Sequence, residues 1–352
     1  MPDTRIFSAK LKKLREETGL SQSALARALG LSSVYISRLE AGKRMPSFST
    51  LQKIATYLNK DIAYFFERKE DIFDRLFQAE GLDPRARDEF HKFRRYSEEY
   101  LRLEAVTGRR LELAPLYANV SPERMADEER RRLGLGEEPI RDIFALCEMN
   151  GCRILRMPLN EEYKVAGVFI YLEVKGAAFA LVNSAQSVGR QVFSAAHEYG
   201  HYLKDRLESP VIDNPDMFID EYVSLYHPRE QFAQAFAARF LMPPGKIQEI
   251  VAKDLRSQKL SFNQVLYLKR YFGVSPLSVL SSLRSLNYLS RSQLNEYRKL
   301  DPAAREKELF GNIGNGNEGK AAESRIRKSQ KKIIPSDRFK LLQQEAARIK
   351  EK

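Results

Sequence analysis

The sequence predicts a mostly helical α+β protein in which an N-terminal five-helix unit precedes a larger unit with a small β-sheet. Three observations carry this expectation. Over residues 7–66, apolar positions recur every three to four residues and are interrupted by Gly and Ser, the pattern of short amphipathic helices. Cys152–Leu155, Ala166–Glu173 and Ala177–Asn183 are apolar, β-rich runs bounded by Gly or polar turns. A helical pattern from Val188 to Leu203 follows directly, which places the sheet ahead of a central helix.

The N-terminal elements follow in order. Phe7, Leu11 and Leu14 give a first helix, ended by Gly19. Ser21 caps a second helix carrying Leu25, Ala26 and Leu29. Gly30 breaks the chain, and Ser32 or Ser33 caps a third helix that ends at Gly42. Ile36 and Leu39 face inward there, so Ser33, Val34, Ser37 and Arg38 share the opposite face. Pro46 and Ser49 precede a fourth helix with Leu51, Ile54, Ala55 and Leu58. A helix, a Gly turn and a second helix bearing small polar residues suit a DNA major groove about 12 Å wide. Arg38, Lys43 and Arg44 are placed to meet phosphates or guanine edges.

The run Ser21-Gln-Ser-Ala-Leu-Ala-Arg-Ala-Leu-Gly, with Ile36-Ser-Arg-Leu-Glu-Ala-Gly-Lys-Arg and Pro46, resembles the Cro/C1-type (XRE) helix-turn-helix family over about 60 residues. The resemblance implies that Gln22, Ser33, Val34 and Ser37 lie at the DNA and that Glu40 is structural. Charge agrees with a polyanion partner. The chain carries a formal +12, of which residues 1–69 hold +7 and residues 302–352 hold +6, leaving the middle at −1. A double-stranded operator is the expected partner, and paired half-sites make a homodimer the expected assembly.

With 352 residues there is room for two or three domains, expected at 1–69, 70–115, 116–290 and 291–352 when a helical connector and a basic flexible tail are counted separately. An apolar fraction of 43% with 20 Phe and 16 Tyr excludes a disordered chain. The greasiest stretch, Val165–Val174, is only strand-length and contains Glu173, well short of the roughly 18 residues of a membrane span. Asp3, Arg5 and Lys10 interrupt the N-terminus, and Cys147 and Cys152 are too few for a disulfide framework. A reducing cytoplasm without membrane attachment is the expected setting. In the connector, Phe90, Phe93, Tyr96, Tyr100, Leu101 and Leu103 form a helical stripe that suits either a dimer contact or packing on the next domain.

The central helix carries His197-Glu198-Tyr199-Gly200-His201. Histidines four apart project from one helical face and reach a single Zn²⁺ at about 2.0–2.1 Å; another divalent metal is also compatible. The glutamate beside the first histidine points to where the ion's water sits and takes its proton, which zinc makes available near pH 7. A third ligand is needed. Glu230 lies near the apolar face of a helix opened by Pro228, three residues from Ala233, whose small side chain permits close helix packing; His227, Asp220 and Glu221 are rivals.

Phe193-Ser-Ala-Ala-His-Glu-Tyr-Gly-His-Tyr, then Glu230-x-x-Ala-x-x-Phe-Ala-Ala-x-x-Leu-Met-Pro, is similar to the ImmA/IrrE family of bacterial metallopeptidases. The resemblance implies a zincin-like domain over about residues 116–290. It makes His197, His201 and Glu230 the metal ligands and Glu198 the general base and acid. Tyr199 stands where leucine is usual, and Gln234 where Asn or Asp is usual. Tyr202, Tyr226 and His227 are candidates for stabilising the oxyanion. Phe262–Phe272 and Leu277–Leu286 form another helix pair, fit for packing, substrate docking or a second DNA contact. Gly311–Gly319 reads as a linker, with a further helix from about Ser336.

Two functions fit these expectations. One, implied by the resemblance to the metallopeptidase family, is a regulator whose zinc-dependent peptidase cleaves a repressor-type protein, or itself, during a stress or mobile-element response. The other is a catalytically silent transcription factor or antitoxin that uses the peptidase-like domain to sense a metal, ligand or partner.

Overall fold

The structure, a computed structural model, describes residues 4–66, 72–78, 83–213, 228–256, 259–310 and 333–350. The chain divides into two compact units, Met1–Asp71 and Ile72–Lys352. Among the described residues, no helix is long and apolar enough to cross a membrane.

The first unit holds α1 (Thr4–Glu17), α2 (Gln22–Leu29), α3 (Ser33–Glu40) and α4 (Phe48–Tyr57). Ser21, Ser32 and Ser47 cap the last three, each hydroxyl accepting the backbone N–H three residues on. Gly30 ends α2 with φ 67°, a left-handed turn that glycine adopts without steric cost. The expected fifth helix closes as a single 3₁₀ turn, Ala63–Phe65. One turn suffices because Asn59, at φ 49°, redirects the chain and Phe65 completes the core against Phe7, ring centroids 5.7 Å apart. Phe7, Leu11, Leu25, Ile36, Leu39 and Ile54 fill the rest of that core.

The second unit is built on a mixed four-stranded sheet of order β1 (Cys152–Met157), β3 (Ala177–Asn183), β2 (Gly167–Leu172), β4 (Val211–Asp213). β1 runs parallel to β3, and β2 is antiparallel to both β3 and β4. β4 is a three-residue addition that its short sequence did not announce.

Both faces of the sheet are buried, and the two-residue period of β3 shows how. Ala178, Ala180 and Val182 join the core that includes α8 (Ile143–Met149), α9 (Val188–Lys204) and α10 (Pro228–Leu241). Ala177, Phe179 and Leu181 join a second core with α5 (Ile72–Gln78), α6 (Arg87–Thr107) and a C-terminal helix. The apolar stripe of the connector is thus a layer of this unit, with Phe90, Phe93, Tyr100 and Leu103 packed against the sheet.

The first core also takes in α7 (Pro122–Arg132), α11 (Pro244–Ile250), α12 (Phe262–Phe272), α13 (Pro276–Ser285) and α14 (Arg291–Tyr297). The α12–α13 pair is a packing element: a Cβ on Gly189 of α9 would come within 2.6 Å of the Val274 backbone in its turn. α15 (Pro302–Phe310) follows.

The expectation of a flexible tail is corrected at both of its described ends. Arg291–Tyr297 and Pro302–Phe310 are helical, and α16 (Asp337–Lys350) buries Phe339, Leu342 and Ala346 in the second core. Arg338 reaches Glu104 at 2.7 Å, where buried Arg153 also pairs at 2.6 Å, and Ile334 bridges to Arg156 at the edge of β1. These apolar and ionic contacts tie the end of the chain down. The Gly311–Gly319 linker and the basic run after it lie outside the described residues.

Candidate metal centre

α9 runs under the sheet with its residues from Ser194 to Leu203 buried. His197 and His201 are one helical turn apart and almost wholly enclosed. Glu230 sits in the first turn of α10, its side chain 13% exposed. The helices can approach because residue 200 is glycine: a Cβ there would lie 2.9 Å from Phe236 Cδ1 and 3.4 Å from Ala233 Cα. Expected ligands from two helices therefore converge.

His197 Nε2 is 3.1 Å from His201 Nε2 and 3.0 Å from Glu230 Oε2, and His201 Nε2 is 3.4 Å from Glu230 Oε1. A tetrahedral ion with bonds of about 2.1 Å holds neighbouring donors about 3.4 Å apart, so the triangle fits one ion. Two imidazole nitrogens and a carboxylate suit zinc and also other divalent ions. Among the described residues these three form the group of His, Cys, Asp or Glu side chains able to share an ion.

A supporting residue escaped the sequence reading. Asp205, one turn beyond His201, places Oδ2 2.9 Å from His201 Nδ1. It fixes the imidazole orientation and leaves Nε2 to face the centre. The spacing His201-x-x-x-Asp205, from the last turn of α9 to its C-cap, is the available signal. Burial pushes the His201 pKa down, but hydrogen bonds to Asp205 and Glu230 outweigh it and hold the metal-free imidazolium up to about 10. Burial likewise opposes ionisation of Glu230, yet its bonds with His197 and His201 keep it well below the usual carboxylate range. The two shifts run in opposite directions and both favour the charged pair, His201 protonated and Glu230 ionised.

Glu198 is wholly buried, and the start of β2 closes over its carboxylate at Gly167. Tyr199 is accommodated by a polar pocket. Its hydroxyl donates to Glu129 Oε1 at 2.5 Å, and Tyr117 and Arg132 bond the same carboxylate. Tyr202 does not serve the centre. Its hydroxyl accepts from Ala114 N at 2.6 Å and donates to Asn150 O at 2.9 Å, both structural contacts. Gln234 is half-buried on α10. Asp220, Glu221, Tyr226 and His227 lie outside the described residues.

In the first unit, Ser33, Val34, Ser37, Arg38, Lys43 and Arg44 are exposed, with Val34 at 59%. Arg44 stands over the Tyr35 ring at 5.1 Å. Gln22 differs: it is half-buried and its amide donates to Glu40 Oε2 at 2.8 Å. Glu40 also receives Arg15 Nε at 2.6 Å and Nη2 at 3.0 Å, a paired charge that braces α3 against α1.

Comparison with known proteins adds two family matches, helix-turn-helix over residues 11–65 and IrrE N-terminal-like domain, of the M78 peptidase family, over residues 147–284. The ImmF control region 10 kDa protein of Bacillus phage phi105 is 40% identical over 62 residues, 18% of this chain and 69% of that protein. Control protein C.MunI of Mycoplasma sp is 43% identical over 68 residues, 19% of this chain and 92% of that protein. Among solved structures, the restriction-modification controller protein C.AhdI from Aeromonas hydrophila is 35% identical, covering 19% of this chain and all of that one, with a TM-score of 0.18. The chain belongs to the XRE-type helix-turn-helix family and is a DNA-binding regulator that carries an IrrE-like, M78 peptidase-like domain.

Proposed function

We propose that this regulator is also a zinc-dependent peptidase, which hydrolyses a repressor-type protein, or its own chain, and so relieves repression in a stress or mobile-element response. The observation that carries this reading is the convergence of His197, His201 and Glu230 beside the buried carboxylate of Glu198. Zinc held by the three ligands would supply Lewis-acid polarisation of a peptide carbonyl and acidify a water.

The chain's own residues do the rest. Asp205 holds His201 in the tautomer that presents Nε2. Glu198 accepts the proton of the attacking water at a carboxylate oxygen and delivers it to the leaving amine, so water is consumed and one peptide bond is broken. At the other end of the chain, Ser33, Val34, Ser37 and Arg38 read the operator, while Lys43 and Arg44 meet its phosphates. Gln22 serves the same helix through Glu40.

The test begins with metal content by mass spectrometry of wild type beside Glu230→Ala. About one zinc per wild-type chain, lost in the variant, supports the three-ligand centre. Glu198→Gln is then expected to keep zinc and DNA binding and to lose cleavage by about 10²–10⁴-fold against co-expressed repressors. Zinc retention without metal-dependent cleavage of any repressor or of the chain itself would favour the silent sensor instead. For the DNA face, Arg38→Ala should weaken operator binding by about 1–3 kcal/mol, read by titration against cognate and scrambled duplexes. A uniform loss on both duplexes would move Arg38 from a base to a phosphate.

A further inference from the structure

Gly167 opens β2 on the sheet face that meets α9, two residues before Phe169 of the same core. Its backbone gives no reason for glycine, since its φ is outside the left-handed range. A glycine in a strand packs no side chain of its own and often marks a close approach. The approach is by Glu198. An ideal Cβ on residue 167 would lie 2.1 Å from Glu198 Oε1, 2.9 Å from Cδ and 3.1 Å from Cγ. The carboxylate occupies the volume that any other residue at this position needs for its own side chain.

Neither backbone can retreat. Gly167 is paired on one side with Val182 of β3 and on the other with Asp213 of β4. Glu198 stands in the same turn of α9 as His197, so the helix moves only by moving a ligand. A side chain at 167 would therefore act on Glu198 first, driving its carboxylate out of the slot.

We propose that Gly167 is the positioning residue of Glu198: the missing side chain is the slot that holds the carboxylate at its working place. What Glu198 does there rests on the peptidase reading; the steric relation does not. The experiment is a stability cycle joined to a spectroscopic titration, both on the full chain. Gly167→Ala is expected to lower the Tm, and Glu198→Ala is expected to remove most of that drop, because the new methyl then enters the vacated space. An equal drop in both backgrounds overturns the proposal. If Gly167→Ala alone does not fold, a folded Gly167→Ala/Glu198→Ala chain supports it and an unfolded one overturns it.

For positioning, the chain is loaded with cobalt(II) and its visible absorption bands are titrated with pH. Gly167→Ala should bind as much cobalt as wild type, with its titration midpoint displaced in the direction of Glu198→Gln. A midpoint unchanged from wild type overturns the positioning role. Wild type that takes up no cobalt overturns the metal reading instead, and the stability cycle still decides the steric claim.

Discussion

The two units carry their chemistry in opposite ways. In the first, the α3 face proposed to read DNA is exposed, and nearby groups fix its geometry: the Ser32 cap three residues from Tyr35, and the Gly30 turn before it. In the second, the groups proposed to bind the metal and move the proton are buried and drawn from residues 167 to 230, with Gly167 and Gly200 allowing the close approaches between their elements. An exposed site of the first kind loses contacts one at a time. A buried site of the second kind fails when one partner is removed, because the polar groups left behind have no water to replace it.

The comparison would break where the exposed unit hides a buried dependence, and that is where the largest stability effect is expected. Arg15 and Glu40 are nearly enclosed, with side chains 9% and 3% exposed. Glu40→Ala leaves the guanidinium without its doubly bonded partner and releases Gln22 as well. A loss of about 3 kcal/mol is expected in the unfolding of the first unit, measured by denaturant titration. Zinc content should stay at the wild-type value. A loss below about 1 kcal/mol would show that the pair is effectively solvated.

The second test sharpens the buried side. Asp205→Asn keeps a hydrogen-bonding group beside His201 but removes its charge, and it should weaken zinc binding about 10–100-fold in competition with a chelator. The pH dependence gives a finer reading. Metal and proton compete for His201 Nε2, and the metal-free imidazolium persists to about 10, so apparent affinity should rise with pH by up to about tenfold per unit below that. In Asp205→Asn the proton is held less tightly, and affinity should level off at a lower pH.

The stability of the metal-free unit follows the same groups. His201, raised from 6.5, contributes most below that value and loses its contribution as pH climbs through about 10. Glu230, lowered from 4.5, contributes above that value and loses it on acidification. Affinity independent of pH between 7 and 9 would contradict the raised His201 pKa.

Much of both sites was legible because local physics specifies them. The four-residue spacing of His197 and His201 faces one ion only on a helix, and the Ser and Gly punctuation of residues 21–42 appears as caps and turns, whereas the fourth helix starts before the expected Ser49, at Phe48 with Ser47 as its cap. What stayed hidden depends on partners distant in sequence. The stripe Phe90–Leu103 announces a buried face but not what covers it. Its partners, Phe179 of β3 and Phe339 of α16, are some 80 and 240 residues further along. The flexible tail was misread for the same reason: a charged helix looks solvated until Arg338 meets Glu104. Gly167, inside the apolar run Ala166–Glu173, signals a close approach but not by what, until Glu198 is seen against it.

The smallest expected effect returns to the exposed unit. Ser32→Ala removes the hydroxyl that accepts the Tyr35 N–H at 3.1 Å, leaving one donor at the start of α3 to water. The cap is exposed, so water replaces it in part, and the loss should be about 1 kcal/mol. Operator affinity should fall by less than that, since Ile36 and Leu39 remain locked in the core and keep Ser33, Ser37 and Arg38 on the outer face. Denaturation and DNA titration of one sample measure both. An affinity loss much larger than the stability loss would mean that Ser32, or the first turn it caps, touches the DNA directly, and the reading face would then extend one residue before α3.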